Sequence, residues 1–162
     1  MTQHAATPFD LMQRLAGDIR ELPGEQHHPA IQWAHLLCGL GAETPDEIAW
    51  CSSGLNLVVW LFTKASGQQV PRSKSAAARS WLALGRPVSV EQALAGFDVV
   101  ILKRGVGTQP GPEVLDAPGH VGLFAGYDRL TNTVHVLGAN QGNAITVAPF
   151  KDANVLGVRR LA

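Results

Sequence analysis

The feature that most constrains this chain is a cysteine, Cys51, placed a few residues before a long apolar run. Small residues follow the cysteine, and the run from Leu55 to Phe62 is too long for one ordinary strand. The acidic, proline-bearing segment 43–47 precedes it and is typical of a loop. The pattern therefore predicts a loop, then Cys51, then a buried helix.

A cysteine at the start of a helix has a special electrostatic environment. It faces unpaired backbone N–H groups and the positive end of the helix dipole. Both favour the thiolate, which is the nucleophilic form of cysteine, and the same N–H groups can stabilise an oxyanion. The alternative interpretation is that Cys51 is a structural cysteine at the top of a core helix. This stretch alone is compatible with both interpretations.

Composition limits the class of protein. The chain is 46% hydrophobic and 16% charged, which is typical of a globular domain with a real core. Its formal net charge is zero and it has no basic block, which argues against binding to nucleic acid. We expect one domain over residues 1–162, with a helical part over 1–42 and a core over 43–160.

No apolar segment is long enough to insert into a bilayer, and residues 1–7 lack the basic and apolar regions of a secretory signal. We therefore expect synthesis in the cytoplasm without a signal peptide. The second cysteine, Cys38, lies in an apolar helical stretch and is interpreted as a buried small hydrophobe rather than a disulfide partner of Cys51. The adjacent His27 and His28 point to different sides of the chain, so we expect no metal or other cofactor.

Helical patterns occupy the first half of the chain. Thr7 and Pro8 are typical of a helix start, and apolar residues at spacings of three and four continue to Leu22. Further helices are predicted over 30–40, from Cys51 to about Ala65, and over 75–85.

Beyond Gly96 the pattern is that of β-strands. Strands are predicted over 97–103, 120–127, 133–137, 144–148 and 155–160. Short turns between neighbours favour an antiparallel meander. The fold class is therefore α+β, with N-terminal helices packed on a roughly five-stranded antiparallel sheet.

A long loop separates the first two predicted strands. The segment from Gly105 to Gly119 holds three prolines and four glycines. Loops of this length without regular structure are often functional. Because the loop leads directly into His120, we expect it to form one wall of a substrate cleft.

His120 is the best candidate for a general base that would activate Cys51. It opens a predicted strand at the edge of the long loop, where a cleft is expected. The other histidines fit less well. His35 lies among apolar neighbours in a predicted helix, His135 lies in mid-strand between two valines, and His4 lies near the terminus.

The imidazole of a catalytic histidine also needs an orienting partner. Asn140 closes the strand that is expected to pair with the His120 strand, so its side chain is the first candidate. Gln141 and His135 are competing candidates. The alternative role for Asn140 is in the turn itself, since asparagine tolerates left-handed backbone conformation.

Five segments, taken together, resemble the NlpC/P60-like cysteine peptidases, and especially the small single-domain branch common in phage and prophage genomes. The segments are 46–53, 78–85, 97–104, 119–126 and 136–145, with sequences DEIAWCSS, ARSWLALG, FDVVILKR, GHVGLFAG and VLGANQGNAI. They keep the same order throughout, and the likeness runs from about residue 43 to 160.

The resemblance implies a papain-like α+β fold with Cys51 as nucleophile, His120 as base and a polar third residue near Asn140. It implies no metal. Trp50, Ser52, Gly119 and Gln141 are expected to contact the substrate. The chain departs from the family pattern after the cysteine, where many members have an aromatic residue or alanine instead of serine. The third residue of the wider family is often histidine, whereas this chain offers an amide.

Family members cleave amide bonds in the stem peptides of peptidoglycan, which implies a monomeric peptidoglycan hydrolase that acts on the cell wall after release or export. A phage endolysin, with a holin as partner, and a wall-targeting effector, with an immunity protein, both fit. The alternatives are a cysteine amidase or acyltransferase on a non-wall substrate, and an inactive structural or binding module of a virion. The presence of both Cys51 and His120 argues against the inactive module.

Overall fold

The longest helix of the protein packs against the middle of an antiparallel sheet. The computed structural model describes residues 6–162. The α-helices are α1 (Pro8–Leu15), α2 (Pro29–Leu36) and α3 (Cys51–Ser66), and short 3₁₀ helices span Ala78–Ala83, Val90–Gln92 and Asp152–Asn154. The strands are β1 (Arg86–Val88), β2 (Asp98–Lys103), β3 (Gly119–Asp128), β4 (Thr133–Gln141), β5 (Ala144–Lys151) and β6 (Val155–Arg160). The predicted α+β class is confirmed.

The predicted start of α1 and both ends of α3 agree with the structure to within about one residue. The Thr7 hydroxyl accepts a hydrogen bond from the Asp10 backbone N–H (3.2 Å) and caps α1. Gly67 adopts a left-handed conformation (φ 76°) and ends α3. The prediction that α1 continues to Leu22 is wrong, because the chain leaves the helix at Leu15 and pairs Arg20 with Ala144 instead.

The sheet has six strands in the order β1-β6-β2-β3-β4-β5, all paired antiparallel. Strands β2 to β5 form the predicted meander. The last strand, β6, returns to the other side of β2 and also pairs with β1. The sequence did not predict β1, which has only three residues and holds Pro87. Its position at the edge of the sheet is compatible with a proline, which cannot donate to a ladder.

Both faces of the sheet carry apolar side chains. Val99, Ile101, Val121 and Leu123 face the helices, while alternate residues of the same strands pack in a second cluster on the other face. Among residues 6–162, no helix is both long and apolar enough to cross a lipid bilayer.

Candidate active site

Cys51 is the first residue of α3, as predicted, and its side chain is almost completely buried, with 3% of the residue exposed. Burial raises the pKa of the Cys51 thiol, and this outweighs the opposing effect of the backbone N–H groups of Val121 and Ser52. The helix start therefore supplies the expected stabilisation of a thiolate, but the effect of desolvation on the pKa is larger.

His120 is the second residue of β3, immediately before the Val121 N–H that influences the Cys51 sulfur. It is 8% exposed, and burial lowers its pKa, while the hydrogen bond to Gln141 raises it and the nearby charge of Arg104 lowers it. Arg104 acts on Cys51 as well. The nucleophile and base predicted from the sequence are therefore brought into one neighbourhood, where burial shifts the pKa of each in the direction that favours its neutral form.

Gln141 is the residue that orients His120. Its Oε1 lies 2.9 Å from His120 Nε2. The amide nitrogen of Gln141 faces the carbonyl oxygens of Val136 and Thr146, which fixes the orientation of the amide. Because Oε1 can only accept, Nε2 carries the proton in the neutral ring, and Nδ1 keeps a lone pair that can accept a proton.

The expectation that Asn140 makes this hydrogen bond is corrected by the structure. Asn140 adopts a left-handed conformation (φ 56°), and the β4–β5 register shifts between Gly138 and Gln141. With the orientation assigned from its partners, its amide accepts from the Trp50 backbone N–H (3.2 Å) and donates to Glu21 Oε1 (3.1 Å). Asn140 thus contacts Trp50, the residue before Cys51, and Gln141 contacts His120.

Gly138 makes the contact between Gln141 and His120 possible, and sequence reasoning did not identify it. A Cβ atom at this position would lie 2.7 Å from Gln141 Oε1 and 3.2 Å from His120 Nε2. The predicted strand ends at residue 137, which places Gly138 in a turn; in the structure it lies inside β4, where a glycine permits a close approach.

Two residues expected to contact the substrate instead make contacts within the protein. The Trp50 indole N–H donates to Glu21 Oε1 (3.0 Å). The Ser52 hydroxyl donates to Ser75 O (2.6 Å) and accepts from the Trp81 indole N–H (2.9 Å). Both residues are buried, so they support the nucleophile rather than line a surface.

A cleft of about 490 Å³ lies beside His120. Its lining residues are Lys103, Arg104, His120, Asn140, Gln141, Gly142, Thr146, Ala148 and Phe150. Two of these side chains are cationic and none is a carboxylate. No residue of the 105–119 loop lines this cleft, and the expectation that the loop forms one wall of the substrate cleft stays a prediction. Cys51 is not part of the lining either. Gly119 packs against Arg79, where a Cβ atom would lie 2.9 Å from Arg79 Cγ.

The other histidines lie elsewhere. The buried His35 Nδ1 is 3.1 Å from the Ser53 hydroxyl, and burial lowers its pKa. His135 pairs with Pro149 in the middle of β4. His4 lies outside the described residues.

Among residues 6–162, the side chains of His27, Asp46 and Glu47 are the one group of potential metal ligands close enough to share an ion. The Asp46 oxygens, however, already accept backbone hydrogen bonds from Leu22 and His28 and face His27 Nδ1 at 3.2 Å. These contacts explain the cluster as a structural junction.

The fold was compared with solved structures. NlpC1 from Trichomonas vaginalis superposes with a TM-score of 0.51 at 15% sequence identity, over 96% of this chain and 45% of that one. The protein has the NlpC/P60 fold. The P60 domain of antigen MAP1272c from M. avium paratuberculosis gives a TM-score of 0.47 at 18% identity, over 96% of this chain and 93% of that one. No protein-family profile and no curated protein matches the sequence.

This chain spans less than half the length of NlpC1. The likeness establishes the NlpC/P60 fold.

Proposed function

We propose that this protein is a cysteine peptidase or amidase that hydrolyses an amide bond in the stem peptide of peptidoglycan. The observation that carries the proposal is the hydrogen bond between His120 Nε2 and Gln141 Oε1, next to Cys51 at the start of a helix. This bond leaves Nδ1 free to act as a base. Asn140, through Trp50, would hold the first turn of α3 in place.

In the proposed reaction, His120 Nδ1 takes the proton from the Cys51 thiol as the sulfur attacks the carbonyl carbon of the substrate. The backbone N–H groups at the start of α3 would stabilise the oxyanion that forms. The imidazolium then gives its proton to the leaving amine as the C–N bond breaks. A water molecule, deprotonated by the same imidazole, hydrolyses the thioester and releases the acid and the free thiol.

The charge of the cleft supports a peptide that carries carboxylates. Lys103 and Arg104 line it, and no acidic side chain does. Stem peptides of peptidoglycan carry free carboxylates, whereas a neutral substrate would gain nothing from two cations. Within this proposal the protein acts on the wall as a phage endolysin or as a wall-targeting effector. A neighbouring gene for a holin favours the first role, and one for an immunity protein favours the second.

The test is incubation with purified peptidoglycan, followed by mass analysis of the released fragments. We expect new amino and carboxyl termini within the stem peptide, and complete loss of these fragments in Cys51→Ala. Cys38→Ala is the matched control and should retain most of the activity, because Cys38 follows α2 and its thiol contacts the side chain of Ser53. Unchanged peptidoglycan with the wild-type protein, or equal activity in Cys51→Ala, would contradict the proposal.

A further inference from the structure

Arg79 is a fully buried cation whose bonds all go to one loop. It lies in the 3₁₀ helix Ala78–Ala83 and has 0% exposure. Its Nε donates to Pro118 O (3.0 Å), and its Nη1 lies within 3.1 Å of three further carbonyl oxygens, those of Pro110, Gly111 and Val114. Within residues 6–162 it has no carboxylate partner.

Burying the Arg79 guanidinium costs free energy that closing a loop does not by itself require. A buried charge without a counter-ion loses its hydration, and only hydrogen bonds compensate for that loss. Arg79 Nη2 is itself buried without a partner in the described part of the chain. The planar fork of arginine can reach several carbonyls at once, and lysine, a point donor on a flexible stem, cannot reproduce it.

The position of the bonds connects Arg79 to the base. Pro118 lies two residues before His120, so the bond from Nε fixes the chain where it enters β3. The aliphatic stem of Arg79 also packs on Gly119, where any Cβ would lie 2.9 Å from Arg79 Cγ and 3.2 Å from Leu102 O. Arg79 therefore holds both the loop and the backbone next to the imidazole.

The segment that carries Arg79 is also hydrogen-bonded to Ser52, the residue after Cys51. The hydroxyl of Ser52, the residue after Cys51, donates to Ser75 O (2.6 Å) and accepts from the Trp81 indole N–H (2.9 Å). One short segment, residues 75–81, is thus attached next to Cys51 at one point and next to His120 at another.

We propose that Arg79 is a positioning residue, which sets the place of His120 relative to Cys51 by fixing the 105–119 loop. The inference rests on the proposed function for its catalytic meaning. Arg79 contacts neither Cys51 nor His120 through a hydrogen bond, and it acts through Pro118 and Gly119.

The test compares Arg79→Lys with a matched control, Arg160→Lys. Arg160 also makes tight bonds, to both oxygens of Asp98 at 2.6 Å, and its side chain is partly buried. Asp98, however, lies at the opposite end of β2 from Leu102, the residue that pairs with His120. Both variants should lose stability. Only Arg79→Lys should change the site.

Three measurements report on the site: the NMR titration of the His120 ring, the rate of Cys51 alkylation by iodoacetamide against pH, and kcat and KM on muropeptides. In Arg79→Lys we expect a shifted His120 titration, alkylation at neutral pH slowed about tenfold and kcat lowered roughly 10- to 100-fold with KM nearly unchanged. Arg160→Lys should keep wild-type values. Wild-type titration and alkylation in folded Arg79→Lys, or equal changes in both variants, would overturn the proposal.

If Arg79→Lys does not fold, Gly119→Ala decides, because it keeps every polar group and forces Arg79 and the β3 entry apart. The same shifts in titration and alkylation support the proposal, and wild-type values overturn it. The titration and alkylation need no substrate. Absence of hydrolysis by the wild-type protein therefore refutes the proposed function without affecting these two readouts.

Discussion

Two adjacent amides, Asn140 and Gln141, serve opposite sides of the candidate site. The left-handed backbone at Asn140 sends its side chain toward Trp50 and Glu21, and sends the side chain of Gln141 back to His120. The Gln141 oxygen therefore favours the tautomer of His120 with its proton on Nε2, while the Asn140 amide holds the backbone at Trp50, next to Cys51.

We predict that Gln141→Ala lowers the rate by roughly tenfold to hundredfold, because one hydrogen bond to the imidazole is worth about 1–3 kcal/mol. The Gln141 bond raises the pKa of His120 against the lowering effect of burial, so its removal lowers that pKa further. A base must be unprotonated, and the acid limb of the pH–rate profile should therefore move to lower pH. The measurement is kcat/KM against pH.

Asn140→Ala is the matched control for this prediction. It removes an amide of similar size from the neighbouring position, so it should leave the acid limb in place even if the rate falls. A shift of the limb in Asn140→Ala, with none in Gln141→Ala, would mean that the amides have the reverse roles.

The sequence identified Cys51 and His120 because each stands at a visible boundary, one at the start of an apolar run and the other after a Pro-Gly turn. It favoured Asn140 over Gln141 as the partner of the imidazole, whereas the structure places Gln141 there. That choice depends on a register shift in β4, and a one-residue shift sends a side chain to the other face. The burial of Cys51, which reverses the expected direction of its pKa shift, depends on packing between distant segments.

At the scale of elements, the first turn of α3 and the end of β4 approach each other closely. A Cβ atom at Gly54 would lie 2.5 Å from Ala139 Cβ and 3.2 Å from the Trp50 ring. Only a glycine lets the helix approach the sheet this closely, and the approach places Cys51 beside the backbone of β3.

We predict that Gly54→Ala destabilises the protein by about 1–3 kcal/mol, because overpacking forces the helix away from β4. The double variant Gly54→Ala/Ala139→Gly moves the methyl group across the contact and should recover a large part of that loss. Denaturant unfolding of the four proteins measures both effects. Additive losses in the double variant would show that the two residues do not share the contact.

At the scale of the whole molecule, local pattern gave the four meander strands but not the order of the sheet. The pairing of β6 with β2 joins residues about sixty positions apart, such as Asp98 and Arg160, and no turn signal encodes it. The order of helices and strands gave the α+β class, and the resemblance to a known family gave the papain-like fold. The structure added the edge strand and the place of the N-terminal helices.

Asp46 connects the N-terminal segments to the part of the chain that leads into α3. Its carboxylate is completely buried and accepts hydrogen bonds from the backbone N–H groups of Leu22 (3.0 Å) and His28 (2.9 Å), with His27 Nδ1 at 3.2 Å. Burial would raise the pKa of Asp46, but the hydrogen bonds from His28, Leu22 and His27 together outweigh it and lower the pKa below 3.8. The Asp46 carboxylate thus holds both sides of the turn that precedes α2. Asp46 itself lies five residues before Cys51.

We predict that Asp46→Asn destabilises the whole protein by about 1.5–3 kcal/mol at neutral pH, because the amide replaces a charged acceptor facing two N–H groups. Since the folded pKa of Asp46 is lowered, its contribution is present above 3.8 and is lost as the pH falls through the folded value. The difference in Tm between wild type and variant should therefore be large at pH 7 and shrink in acid.

Glu25→Gln, at an exposed carboxylate in the same segment, is the control and should not change Tm. Calorimetry should show one transition that shifts as a unit. A variant in which the N-terminal helices melt first, while the core keeps its wild-type Tm, would mean that Asp46 does not couple the two parts.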